Sequence, residues 1–284
     1  MDKRKSIFLR MMLIIGFLIF FYPNISDYVN SFTQSTGIVY YNKALGEFEN
    51  IEIDRIKADA DEYNKKIFEE KDAIYNPKLV PGYEKNLNPF NDGMMGSLSI
   101  EKIGVNLPVY HGVNEGVIQI GIGHLPGTSL PVGGLSTHSV LSTHSGLPSA
   151  KLFTDLHKLE KGDEFIISVL GYRMFYEVDQ IETVLPREIE LLKISEGKDY
   201  VTLFTCTPYG INTHRLLVRG HRIDKVERQA AEKIEEEARQ SLSFSVLKLV
   251  LILGLILIII ITIIRDLIFI IREKTNKNSE RRTS

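Results

Sequence analysis

The chain has one cysteine in 284 residues and no tryptophan. A single cysteine excludes an internal disulfide, and with it a cysteine-rich zinc site. Missing tryptophan excludes little. Charge of one sign is not in excess: 34 Lys and Arg against 36 Asp and Glu leave a formal net charge of −2. A nucleic-acid partner, which needs a basic surplus, is therefore not expected. Internal repeats and low-complexity tracts are absent. The seven histidines, His111, His124, His138, His144, His157, His214 and His221, show no short paired spacing of the helical zinc type, so neither a metal nor another cofactor is expected.

Long apolar runs are present, and there are two. Residues 7–22 are apolar apart from Arg10, and Lys3, Arg4 and Lys5 precede them. The run is short for a span, which takes about 20 residues. A secretory signal peptide is the rival reading, but Tyr22-Pro23-Asn24 is a poor cleavage site, which favours an uncleaved anchor. Arg10 can snorkel toward the cytoplasmic side. The second run, 244–264, is interrupted only by Lys248, and Arg265, Arg272, Lys274, Lys277, Arg281 and Arg282 follow it. Basic flanks mark cytoplasmic ends. The expected topology is a cytoplasmic N-terminus (1–6), an anchor (7–22), an external middle, a second anchor (244–264) and a basic cytoplasmic tail (265–284). The membrane bilayer is thus an expected partner.

Between the anchors, 23–72 reads as a helical region. Ile53, Ile56, Ala60, Tyr63 and Ile67 recur at spacings of three and four and form one apolar stripe, which predicts packing on the neighbouring domain. Residues 73–95 change character. Asn76-Pro77, Pro81-Gly82, Asn88-Pro89-Phe90 and Asp92-Gly93 are turn signals in quick succession, so a long loop is expected, and loops of this length often cover a site. Phe90, a large apolar group on that loop, needs somewhere to dock. From Gly96 the pattern is β. Residues 97–100 and 107–110 read as strands, glycine-rich turns follow, and 138–143 form another β run. A helix is expected from Ser149, burying Leu152, Phe153, Leu156 and Leu159. Gly162-Asp163 then leads into a hairpin, 164–170 and 172–178. The fold expected for 96–225 is mainly β, a barrel or sandwich. Residues 226–243, rich in Glu, Ala, Lys and Arg, read as a polar linker helix.

The lone cysteine lies at the end of a strand. Residues 200–204 are β-branched, aromatic or aliphatic, and Thr207-Pro208 stops the ladder, leaving the Cys206 sulfur at a sheet edge. Arg215 opens the next strand, so a thiol and a guanidinium share one opening. A free cysteine on an external domain invites oxidation, so its presence points either to chemistry or to a buried small hydrophobe. A nucleophilic thiol needs a base or cation beside it, and His is the usual partner. The residues rank the histidines only weakly: His157 lies on a polar face, His138 and His214 adjoin β runs, and His144 ends a β run at a strand mouth.

The run Thr202-Leu203-Phe204-Thr205-Cys206 with Arg215 resembles the TLxTC…R signature of sortases, the membrane-bound cysteine transpeptidases of Gram-positive bacteria. The likeness covers roughly 75–222. Residues 207–215, 107–112 and 123–131 are similar to the class C, pilin-polymerising branch, as are the C-terminal anchor and the Asn88-Pro89-Phe90 loop. The resemblance implies an eight-stranded sortase β-barrel with N-terminal helices, an active-site lid over 73–95 and two transmembrane helices. It implies Cys206 as nucleophile, His144 as acid/base, Arg215 as oxyanion or substrate stabiliser and Thr205 as a substrate contact. Asn88, Pro89 and Phe90 would form the lid motif, with Phe90 over the thiol. The substrates implied are pilins or surface proteins with an LPxTG-type sorting signal, cut between Thr and Gly and joined to a lysine amine. Two departures stand out. Asn88 replaces the usual Asp of the lid, and Thr143-His144-Ser145 replaces the Gly and Arg that often flank the histidine. Two other readings are open: a sortase that anchors proteins or pili to peptidoglycan, and a non-enzymatic membrane-anchored binding barrel with an inert thiol.

Overall fold

The computed structural model describes residues 3–228, 250, 254 and 256–272. Two helices lead the chain, α1 (Lys3–Leu45) and α2 (Asn50–Glu69). The expected helical stretch therefore begins inside the first anchor without interruption and breaks only at residues 46–49. Pro23 sits within α1, where it removes one backbone bond. The apolar stripe of α2 is buried as expected, through Ile53, Ala60, Tyr63 and Ile67, with Ile56 half-buried against the same core.

The rest is a closed barrel of eight strands: β1 (Met94–Ile100), β2 (Val105–His111), β3 (Ile122–His124), β4 (Thr137–Ser142), β5 (Glu164–Val169), β6 (Tyr172–Val184), β7 (Asp199–Thr207) and β8 (His214–Arg228). Their order around the barrel is β1-β2-β3-β4-β7-β8-β6-β5, and a one-turn helix α3 (Glu115–Ile118) precedes β3. Closure leaves no sheet edge unpaired. Side chains alternate along each strand. Val201 and Leu203 of β7, Leu216 and Val218 of β8 and Leu141 of β4 point into the main core.

Three expectations change. The helix expected from Ser149 is a chain of turns ending in a 3-10 turn, Leu156–Lys158. Its four apolar residues are nevertheless buried, at 4% exposure or less. Second, β8 runs on through Arg228, so 226–228 are strand rather than the start of a linker helix; the remainder of that segment lies outside the described residues. Third, among the described residues one helix, within Ile7–Leu45, is long and apolar enough to cross a membrane. Of the second anchor, 256–264 belongs to a helix covering 256–272, and 244–249, 251–253 and 255 lie outside the described residues, as does the tail beyond 272.

Candidate active site

Three strand ends meet on the outer face of the barrel. β4 and β7 run parallel, with Ser142 beside Phe204, and β7 and β8 run antiparallel, with Phe204 beside Leu217 and Cys206 beside Arg215. Two residues beyond that level the order across the face is His144, Cys206, Arg215. The alternation puts Cys206 and Arg215 on the side of Phe204 and Leu217, away from the main core, and His144 lies just past the end of β4 in the loop that follows it. Directly opposed residues in such a ladder have Cβ atoms about 5 Å apart, so the Cys206 thiol and the Arg215 side chain are immediate neighbours. All three residues are half-buried.

The loop carrying His144 is tied to the cysteine strand on both sides. Thr205 Oγ1 donates to the Thr143 carbonyl at 2.8 Å, and Ser145 Oγ donates to the Cys206 carbonyl at 2.6 Å. Gly146, at φ +81°, must be glycine, since a Cβ there would lie 2.6 Å from the Tyr209 ring. Ser145 thus explains what an Arg at that position would not do: it locks the histidine loop to the nucleophile strand. Thr205 itself, implied as a substrate contact, is 2% exposed and turned inward, so its hydroxyl serves this lock instead.

His144 Nε2 lies 3.1 Å from Glu115 Oε1, and Gln119 Nε2 donates to the same oxygen at 2.8 Å. These contacts, the glutamine first, hold the Glu115 carboxyl below its ordinary range. Glu115 lies 29 residues upstream on a one-turn helix, where no periodicity singles it out. The Arg215 guanidinium donates to the carbonyls of Asn212 and His214, both at 3.0 Å, and has no carboxylate partner among the described residues. The Arg215 backbone stands directly opposite Cys206 in the β7–β8 ladder.

Three of the other histidines are occupied elsewhere. His138 is buried, with one ring nitrogen 2.7 Å from Thr202 Oγ1 and the other 2.9 Å from the Lys193 carbonyl, and burial pulls its pKa down to about 4. His124 is equally enclosed between Tyr83 and the Ser129 carbonyl, and burial lowers its pKa to about 4 as well. His111 bonds the carbonyls of Gly93 and Asn86. Neutral, buried and doubly bonded, His124 and His138 are structural.

The long loop divides into two parts with different destinations. Phe90 docks, but on the helical layer: its ring meets Tyr41 and Phe48 edge-on, with centroids 5.5 and 5.4 Å away. Asn88 donates to the Glu84 carbonyl and accepts from Gly93 N–H. The Asn88-Pro89-Phe90 turn therefore packs beside the start of β1, at the end of the barrel remote from Cys206, and Phe90 does not lie over the thiol. The chain that does cross the catalytic face is 70–75. Ile74 packs into a second apolar cluster with Val140, Leu192, Leu217 and Phe204, the outer face leading to Cys206 and Arg215. The backbone at Ala73 presses on Gly127, where a Cβ would meet the Ala73 carbonyl oxygen. Tyr75 donates to Glu190 at 3.3 Å and lies under the Lys193 ammonium, tying this segment to the β6–β7 connection. A cavity of about 260 Å3 runs between them.

A closed barrel whose outer face sets a thiol between an imidazole and a guanidinium defines a class of cysteine enzymes that transfer acyl groups. A family model, the sortase domain, matches residues 98–223. The solved structure of sortase C1 from Streptococcus agalactiae is 44% identical, with a TM-score of 0.61, covering 67% of this chain and 99% of that one. The structure of Clostridium perfringens sortase C with the C-terminal cell wall sorting motif is 43% identical, with a TM-score of 0.59, covering 67% of this chain and 99% of that one. Sortase A of Streptococcus agalactiae serotype III (strain NEM316) is 27% identical over 117 residues, 40% of this chain, and the match spans 47% of that protein's length. The chain belongs to the sortase family of cysteine transpeptidases, and its structural likeness is to the class C branch.

Proposed function

We propose that this sortase is a membrane-anchored pilin polymerase: it cuts an LPxTG-type sorting signal between Thr and Gly and joins the new carboxyl to a lysine amine of another subunit. The observation that carries the reading is the row His144, Cys206, Arg215 on adjacent strand ends of one outer face. The Cys206 thiolate attacks the Thr carbonyl, and the C–N bond to Gly breaks as the imidazolium of His144 protonates the leaving amine. Arg215, charged at every relevant pH and without a carboxylate partner, donates to the developing oxyanion. The thioester then takes a lysine amine, giving an isopeptide bond and restoring the thiol. Glu115 accepts from Nε2 of His144, which leaves Nδ1 as the nitrogen that exchanges a proton with the thiol.

The loop across the catalytic face and the resemblance of 107–112, 123–131 and 207–215 to class C favour polymerisation over wall anchoring. The deciding experiment mixes the full chain in detergent with a pilin subunit bearing the signal. A covalent ladder on denaturing gels, absent with Cys206→Ala, supports polymerisation. Transfer to a peptidoglycan amine without a ladder supports wall anchoring. No covalent product of either kind returns the chain to the binding-barrel reading.

A further inference from the structure

We infer that the catalytic end of the barrel faces the bilayer, with Tyr209, Ile211 and Ile120 forming a rim that meets lipid; this rests on α1 being the membrane anchor of the function proposed above. The direction comes from where α1 touches the barrel. Asp27 accepts from Lys151 N–H at 2.7 Å, Asn30 donates to the Ser149 carbonyl at 2.7 Å, and Gln34 donates to the Ile120 carbonyl at 3.0 Å. These partners follow His144 or precede β3, so they belong to the catalytic end. Further along, Tyr41 donates to the Met95 carbonyl at 2.8 Å, at the opposite end of β1. The helix therefore descends the barrel from its far end to its catalytic end as it is followed back toward the N-terminus.

Beyond Asp27 the same helix continues into its apolar, exposed stretch, where Phe8, Ile19 and Phe20 show more than 60% of their surface. Position 22 is five helical steps from Asp27, about 8 Å of helix. The catalytic rim thus stands within about one and a half turns of lipid. Pro23 lies at this junction and leaves one carbonyl of the preceding turn without its helix donor, which water or headgroups at the interface supply. The rim carries large exposed apolar groups: Tyr209 at 65%, Ile211 at 68% and Ile120 at 52%. Tyr209 and Ile211 follow Cys206 in the β7–β8 loop. An amphipathic tyrosine beside aliphatic side chains suits the headgroup level. The consequence is a specificity by height. The thiol meets the segment of a polypeptide just above the membrane.

The test uses the full chain with Cys206→Ala, which leaves no other thiol, reconstituted in phosphatidylcholine–phosphatidylglycerol vesicles carrying an acceptor dye at the headgroups. A donor is placed on Ile211→Cys or, separately, on Leu135→Cys, an exposed site just before the far end of β4. Residues 199–206 of β7 separate those two levels by about 23 Å. Transfer is expected to be markedly stronger from position 211; equal transfer, or stronger transfer from 135, overturns the orientation. Release of the protein by carbonate removes the anchor and the inference with it. A second arm replaces Ile120 and Ile211 by Ser in the active enzyme. Cleavage of a soluble signal peptide is expected to be unchanged, and processing of a bilayer-held substrate to fall several-fold; equal processing of both overturns the lipid contact. If the unaltered enzyme cleaves no soluble peptide, the proposed function fails while the transfer measurement still decides the orientation.

Discussion

At the residue scale the site is a row of three unlike groups held by backbone. Cys206 and Arg215 are opposed across one ladder, so little but their own side chains separates sulfur from guanidinium. Arg215→Lys is expected to lower transpeptidation at least a hundred-fold with the thermal midpoint nearly unchanged, because a point charge does not replace a planar fork; kinetics with a soluble signal peptide check this. Glu115→Gln keeps an acceptor near His144 but removes its charge. The contact is solvent-exposed, so kcat/KM on a soluble signal peptide is expected to fall by less than about tenfold, and a larger loss would point to a different role for Glu115. Cys206 and Arg215 were legible in the sequence, because a lone cysteine before Thr-Pro and an arginine opening the next strand can only meet at one mouth. His144 was not separable from its six rivals by pattern; resemblance singled it out, and the burial of His124 and His138 explains why pattern failed. Thr205 was assigned to the substrate against the strand's own alternation, which turns it inward between Phe204 and Cys206.

At the element scale the informative misreading is the loop ahead of β1. Turn-rich composition marks a loop but does not say which stretch of it covers a site and which one docks. Phe90 had the look of a cover and is a docking group, because Tyr41 of α1 and Phe48 just after it supply an aromatic socket that no local pattern reveals. Ile74 looked ordinary and lies on the catalytic face. Opposite outcomes follow for the two. Ile74→Ala is expected to speed thiol labelling of Cys206 about tenfold, as would be required if 70–75 screens the approach. Phe90→Ala is expected to leave labelling unchanged while destabilising the fold by about 2–3 kcal/mol, at or below the low end for a core aromatic because the ring is only half-buried. Labelling rates that respond to Phe90 and not to Ile74 would return the screen to the 88–90 turn.

On the scale of the whole molecule, two buried neutral histidines tie the barrel to its loops and make stability depend on pH. His124 and His138 have folded pKa values of about 4, below the ordinary value near 6.5. Between those limits the unfolded chain holds more protons than the folded one, so stability is complete above about pH 6.5 and is lost as pH falls toward 4. Each contributes on the order of 3 kcal/mol. Burial raises the carboxyl of Asp199, which works in the opposite sense but near the carboxylate range. Urea midpoints are expected to be flat from pH 8 to 7 and to drop steeply from 6.5 to 4.5; a flat or rising course would show that these histidines are hydrated. Alternation read a mainly β fold, a barrel or a sandwich, and the resemblance supplied the closed eight-strand form that the structure has; apolar length marked the N-terminal helix that is long enough to cross a membrane. The turn chain after Ser149 was not, since its buried leucines mimic a helical stripe.

The most direct test of the central claim is to quench the full chain during turnover with an LPxTG-type peptide and to map the adduct by mass spectrometry. The account predicts an acyl group ending at Thr on Cys206, released by hydroxylamine, accumulating when the lysine acceptor is withheld and absent in Cys206→Ala. Cleavage that persists in Cys206→Ala, or an acyl group on any other residue, would contradict it.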